Sequence, residues 1–236
     1  MQPPQLGTVK LIDKLVHNEK FTQYYFEYLQ PASMNFKAGQ YMSIQVTDRG
    51  DRRSYSICSS PAKTHGFELL VDSTPHGLGV TYLENLPLGG EMKSLGPLGV
   101  FTMSEVGDEE AVVYVAAGSG ITPFRSMIFD QLQNKQDQRP MYLYWGLRYA
   151  ETMFWQDEFQ ELAQNFPNFH FHPVISRALP EWPLCRGRVT DCLNVHALPE
   201  KAGFYLCGNA AMIHDTSALL QQKGVTPEHI HHEKFF

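Results

Sequence analysis

The feature that most constrains this chain is an uninterrupted apolar run at residues 111–116, Ala-Val-Val-Tyr-Val-Ala, closing on Gly118-Ser119-Gly120-Ile121-Thr122-Pro123. An apolar run without alternation marks a strand buried on both faces, as in a parallel sheet covered by helices. The two glycines let the backbone turn tightly and approach a pyrophosphate, while the helix that follows offers unpaired amides and the positive end of its dipole. Pro123 falls in the first helical turn, where its missing amide would have had no partner. The pattern is G-x-G-x-x-P, and taken alone it also suits an ordinary glycine turn between strand and helix. Its setting favours the nucleotide reading. Strands are predicted next at 141–145, Phe169–Ile175, 204–207 and 230–233, with helices at 123–134, Gln156–Asn165, 190–195 and 211–223. Strands alternating with helices predict a doubly wound parallel α/β domain over residues 111–236.

The N-terminal half has a different rhythm. Short β-prone runs at 9–15, 21–28, 41–46, 53–57, 67–71 and 91–95 are separated by turn residues such as Ala38-Gly39, Ser60-Pro61 and Gly89-Gly90. Six such runs, with one helix at 81–86, predict a six-stranded antiparallel β-barrel over residues 1–104. An acidic link, Glu-Val-Gly-Asp-Glu-Glu at 105–110, joins the halves. Two domains also suit 236 residues.

Composition narrows the function. A net charge of −6 without a basic stripe argues against a nucleic-acid partner. Cys58, Cys185, Cys192 and Cys207 have no C-x-x-C spacing, which argues against a four-thiolate iron–sulfur cluster or a zinc site. So few cysteines in a chain of this length argue equally against disulfide scaffolding. His229, His231 and His232 alternate across a predicted strand without a distant partner, so no metal site is expected. The N-terminal residues lack a signal-peptide pattern, and no apolar stretch approaches the ~20 residues that span a bilayer. A soluble, cytoplasmic protein without a membrane partner is expected.

Three further motifs carry chemistry. Arg53-Ser54-Tyr55-Ser56 lies on a strand, with Arg53 and Tyr55 on one face and Ser54 and Ser56 on the other. Gly77-Leu78-Gly79-Val80 precedes the barrel helix. Cys207-Gly208-Asn209-Ala210-Ala211-Met212 follows a strand and opens a helix. In this order, with the Gly118–Gly120 turn, they resemble the ferredoxin–NADP reductase family. The resemblance runs over nearly the whole chain, from Ala38-Gly39-Gln40-Tyr41 to Glu233-Lys234-Phe235-Phe236.

The resemblance implies bound FAD. Arg53 would clamp its pyrophosphate, Tyr55 would lie against the flavin, and Ser56 would hydrogen-bond flavin N5. Ser54, Leu70, Val71, Gly77, Leu78, Gly79 and Val80 complete the implied FAD set. Valine at 80 replaces the family's hydroxyl residue there, leaving backbone amides to hold phosphate. Gly96-Pro97-Leu98-Gly99-Val100-Phe101 matches the family's closing barrel strand. The implied nicotinamide-nucleotide set is Gly118, Ser119, Gly120, Ile121, Thr122, Pro123, Cys207, Gly208, Asn209 and Met212, with Phe235 or Phe236 stacking on the flavin. Arg148, Ser176, Arg177 and Arg188 would grip a 2′-phosphate, favouring NADP(H) over NAD(H). Ser56, Cys207 and Glu233 are expected to form the catalytic group, converging where the domains meet.

The implied reaction is hydride transfer between nicotinamide and flavin, with single electrons passing to a separate carrier, ferredoxin or flavodoxin in the first instance. A free-flavin or ferric reductase, the reductase component of an oxygenase, and a non-catalytic electron-carrier subunit are the alternatives.

Overall fold

The computed structural model describes residues 3–74, 76–104 and 109–235. The chain divides into two compact units, Met1–Met103 with Thr122–Lys135, and Ser104–Ile121 with Gln136–Phe236.

The first unit is built on one antiparallel sheet of six strands: β1 (Gln5–Val16), β2 (Phe21–Gln30), β3 (Tyr41–Gln45), β4 (Arg52–Ser56), β5 (Gly66–Asp72) and β6 (Glu91–Leu98). Their spatial order is β4-β3-β6-β1-β2-β5, and a lone bridge between Ile57 and Leu69 nearly closes the barrel. Alternate residues of each strand turn inward, as a two-residue period requires. On β2 these are Tyr24, Phe26 and Tyr28, which join Val9, Leu11, Met42, Ile44, Phe67 and Leu69 in the core. Phe26 faces Phe67 directly across β2 and β5, with ring centroids 5.3 Å apart. Helix α1 (Leu78–Asn85) lies between β5 and β6 in sequence. It starts three residues before the predicted 81, because Gly79 and Val80 are weak helix formers that packing overrides.

Helix α2 (Ile121–Phe129) continues into a π-helical turn at Asp130–Asn134. Sequence rhythm assigns this helix to residues 111–236, whereas by contact its body lies in the first unit. There the Ser126 hydroxyl donates to the Ser59 carbonyl at 2.6 Å, and Arg125 donates to the Cys58 carbonyl at 2.9 Å. Arg125 also pairs with the largely buried Glu68 at 3.2 Å.

The second unit carries a six-stranded, wholly parallel sheet: β7 (Ala111–Ala117), β8 (Met141–Leu147), β9 (Phe169–Ile175), β10 (Cys185–Arg186), β11 (Ala202–Gly208) and β12 (Ile230–Lys234). Its order is β10-β9-β8-β7-β11-β12. The chain steps outward from β7 to β10, then returns to the other side of β7 for β11 and β12. This reversal is the topological switch point of a doubly wound sheet. Helices α3 (Gln156–Asn165), α4 (Val189–Val195) and α5 (Ala210–Gln222) supply the connections. Residues 111–116 are buried throughout, as their unbroken apolar run requires. Among the described residues no helix is long and apolar enough to cross a membrane.

At the end of the acidic link Glu109 turns inward and is 8% exposed. It accepts a hydrogen bond from the Tyr205 hydroxyl at 3.4 Å, faces His231 Nε2 at 3.4 Å and lies 3.8 Å from Arg139. Gly203 makes room, since a Cβ there would lie 2.3 Å from the carboxylate. Glu110 stays exposed and pairs with Lys201 at 2.7 Å, while residues 105–108 lie outside the described residues. One expectation needs correction, and it concerns sulfur. Cys185 and Cys192 form a disulfide, because the two-residue strand β10, invisible to pattern reading, brings their Cα atoms to 5.9 Å.

Phe26→Ala removes a fully buried ring and leaves a cavity against Phe67. The loss expected is about 3–5 kcal/mol of unfolding free energy, read from the denaturant midpoint of this unit.

Candidate functional site

In the first unit the implied FAD residues gather around β4, an edge strand of the sheet. Its side chains alternate as predicted: Ser56 is 5% exposed, while Arg53 and Tyr55 take the other face. The start of α1 packs on that second face. A Cβ built on Gly79 would fall 2.2 Å from the Tyr55 hydroxyl and 3.0 Å from Arg53 Cγ. Only glycine lets the helix come so close. Gly77 caps the helix in extended conformation without a side-chain hydrogen bond, and no atom lies within 4 Å of its own Cβ position. The first amides of α1 have no intrahelical partner, so they and the exposed Arg53 offer donors and positive charge to the same space. That combination suits a pyrophosphate. Burial pushes the Tyr55 hydroxyl up to about 12, with Arg53 pulling back, so it stays protonated near neutrality. Leu70 and Val71, by contrast, are buried on opposite faces of β5, Val71 in the barrel core, at 4% and 3% exposure.

In the second unit the nucleotide motifs meet at the carboxyl ends of β7, β11 and β12. Gly118–Gly120 forms a 3-10 turn directly after β7, with Gly118 at φ +57°. A Cβ on Gly120 would sit 2.1 Å from the Cys207 carbonyl oxygen, so this turn rests on the end of β11. Cys207 pairs in register with Glu233 of β12, and the Phe235 amide donates to the Gly208 carbonyl at 2.9 Å. Cys207, Gly208, Glu233 and Phe235 therefore stand together with the glycine turn. Ser119 remains half-buried in it, whereas Ile121, Thr122 and Pro123 are buried. Asn209 is the N-cap of α5, its side chain accepting from the Met212 amide at 2.9 Å, so its polar group serves the fold. Met212 is buried beside Gly208. Phe236 lies outside the described residues, and Ser56 belongs to the first unit.

Arg148, Ser176 and Arg177 follow the carboxyl ends of β8 and β9, linked by the Arg177 amide donating to the Arg148 carbonyl at 2.9 Å. The Arg177 guanidinium donates to the Tyr149 hydroxyl at 2.7 Å and lies over that ring at 5.6 Å. Arg188 is the N-cap of α4 and pairs with Asp215 at 3.7 Å, an exposed contact of little strength.

Trp145 is a residue that the sequence motifs do not single out. It is fully buried, and its indole donates to the Gly118 carbonyl at 3.0 Å, bracing the glycine turn. The available signal was its place at the end of the strand beside β7. His231 stacks on Tyr205 at 4.7 Å, and His229 faces the Thr226 hydroxyl at 3.0 Å. A cavity of about 570 Å³ opens at the amino end of β11, lined in part by His196, Lys201 and Lys223. It lies at the opposite ends of the strands from the glycine turn and takes no part in this site.

Comparison with known proteins bears directly on these two clusters. A sequence model of the oxidoreductase FAD-binding domain matches residues 8–103, and one of the oxidoreductase NAD-binding domain matches residues 114–218. The chain belongs to the ferredoxin–NADP reductase family. It is 31% identical over 204 residues to the anthranilate 1,2-dioxygenase electron transfer component of Acinetobacter baylyi, covering 86% of this chain and 59% of that protein. The chain thus spans about three-fifths of the length of that relative. Among solved structures, an Amycolatopsis cytochrome P450 reductase superposes with a TM-score of 0.90 at 26% identity, covering 100% of this chain and 71% of the other. A ferredoxin NADP+ reductase from Neisseria gonorrhoeae, solved with FAD and NADP, superposes at 0.83 with 23% identity, covering 98% and 99%, a likeness of fold. The chain accordingly carries the FAD-binding and NAD-binding domains of oxidoreductases.

Burial, reinforced by Glu233, raises the Cys207 thiol well above its ordinary value. A raised thiol keeps its proton when the unfolded chain has lost its own, so the associated stability is complete below about pH 8.5 and declines above it. At pH 8 iodoacetamide should leave Cys207 unmodified in the folded protein and alkylate it in denaturant. Mass spectrometry reads the difference, and rapid labelling of the native thiol would contradict this burial.

Proposed function

We propose that the chain moves electrons between a nicotinamide nucleotide and a separate one-electron carrier through FAD. The observation that carries this reading is the glycine turn seated on Cys207 at the switch point of the parallel sheet, with Glu233 in register beside it. In a family member with an FAD-binding domain, that position suits a nicotinamide ring.

Each residue group has a distinct role in the proposal. Arg53 and the first amides of α1 hold the FAD pyrophosphate, and Gly79 lets them share one space. Tyr55 lies against the ring system as a protonated, stiffly packed surface. Ser56 offers a hydroxyl toward N5. Gly118–Gly120 receives the nucleotide pyrophosphate, while Cys207 and Glu233 border the nicotinamide and Phe235 is a movable cover. FAD, when bound, supplies the conversion between two-electron and one-electron transfer. Arg177 and Arg188, with Ser176 and Arg148, favour NADPH by meeting its 2′-phosphate. Tyr149 already orients Arg177, and the weak Asp215 contact releases Arg188 readily.

The carrier is proposed to be a small redox protein of the ferredoxin or flavodoxin class. A second reading is supported by the relatives' own names, an electron transfer component of a dioxygenase and a cytochrome P450 reductase: service to an oxygenase partner. Stopped-flow reoxidation of the reduced protein by ferredoxin, flavodoxin and an isolated oxygenase component separates the two.

The wild-type protein should purify yellow with FAD in equimolar amount. Arg53→Ala should lose it, since a charge-assisted pyrophosphate contact is worth about 1.5–3 kcal/mol. Wild-type flavin content in that variant would remove Arg53 from the site.

Replacing both Arg177 and Arg188 by alanine should raise KM for NADPH at least about tenfold, with NADH scarcely affected. Equal effects on the two nucleotides, or a wild-type preference for NADH, would overturn the NADP assignment.

A further inference from the structure

One cluster in the second unit has no place in nucleotide or flavin binding. Cys185 stands on β10, Cys192 in the middle of α4, and His196 caps the end of that helix. Cys192 and His196 are four residues apart, so the helical repeat sets them on one face. His196 Nδ1 lies 3.5 Å from Cys192 Sγ and donates to the Cys192 carbonyl at 2.9 Å, a bond that the imidazole gives up on binding a cation through this nitrogen. One ligand atom from each of the three residues falls within 4.8 Å of the other two. Cys192 is buried and the other two are half-buried, so the cluster is walled on one side and open on the other. The imidazole is also held in place, tilted against the rings of His172 at 5.0 Å and Tyr144 at 5.7 Å.

Two thiolates and an imidazole drawn from a strand and the adjoining helix form the donor set of zinc-class cations, in C-x6-C-x3-H spacing. As described, the two sulfurs are joined to each other. A disulfide and a metal thiolate use the same sulfur electrons, so the two states exclude one another. We propose that, once the Cys185–Cys192 bond is reduced, both sulfurs and His196 bind one divalent cation of the zinc class, with water in the fourth position.

The chemistry balances in two steps. A dithiol delivers two electrons and its two protons to the disulfide, breaking the S–S bond and becoming a disulfide itself; with a phosphine, one water supplies both protons and the oxygen of the phosphine oxide. The cation then displaces those two protons and forms two metal–sulfur bonds. Oxidation of the bound thiolates by a disulfide oxidant reverses both steps and expels the cation. Loading is therefore tied to thiol redox state and to pH, since both thiols must lose protons.

The site is independent of the electron-transfer reading, and its test does not use activity. The full-length protein with its flavin is reduced with a phosphine, desalted without oxygen and titrated with Co²⁺. Tetrahedral cobalt thiolate bands should appear at longer wavelength than the flavin absorption, saturate at one equivalent and disappear when Zn²⁺ is added. His196→Ala should weaken binding at least about tenfold, and Cys192→Ser should abolish the thiolate bands. The unreduced wild type, which needs no substitution to fold, should show no bands. Absence of bands in reduced wild type, or equal bands before and after reduction, overturns the proposal.

Discussion

The second unit depends on a missing side chain. Gly120 brings the turn after β7 so close to the Cys207 carbonyl that any Cβ would overlap it. Backbone cannot yield as a flexible side chain can, so β7 and β11 are locked end to end at this point. Trp145 supports the turn from the opposite side through the Gly118 carbonyl, and the in-register pairing of β11 with β12 carries the constraint to Glu233. The chemical groups of this half are thereby placed by main-chain geometry, which is stiffer than any arrangement of long side chains.

The first unit uses the same device with different partners. Gly79 allows a helix start to rest on Tyr55 and Arg53, joining a fixed aromatic surface to a flexible charge. Because Gly77 contributes no capping side chain, the helix start keeps its amide donors for something other than itself. Positive potential is thus concentrated at the barrel edge of a chain whose net charge is −6.

Much of this was legible in the sequence, for identifiable reasons. The unbroken run at 111–116 announced a doubly buried strand, and period-two patterning announced the barrel strands. The glycines were legible as turns, whereas the backbone and ring that Gly120 and Gly79 approach were not. Other features depend on contacts that no local pattern encodes. Strand β10 is two residues long and exists only because β9 offers an edge, so the sulfur pairing that it creates could not be read from cysteine spacing. Glu109 is buried because Gly203, distant in sequence, opens a space for its carboxylate. Asn209 looked like a ligand residue because its helix cap falls inside a motif.

The near-closure of the barrel has a mechanical consequence. Five of its seams are hydrogen-bonded ladders, two of them with irregular register, whereas β4 and β5 meet through the bridge at Ile57 and Leu69, helped by Arg125 between the Cys58 carbonyl and Glu68. The seam with the fewest cross-links is the one that parts first under thermal agitation. It borders the strand bearing Arg53, Tyr55 and Ser56, so the barrel can breathe along one wall while the aromatic core around Phe26 stays shut.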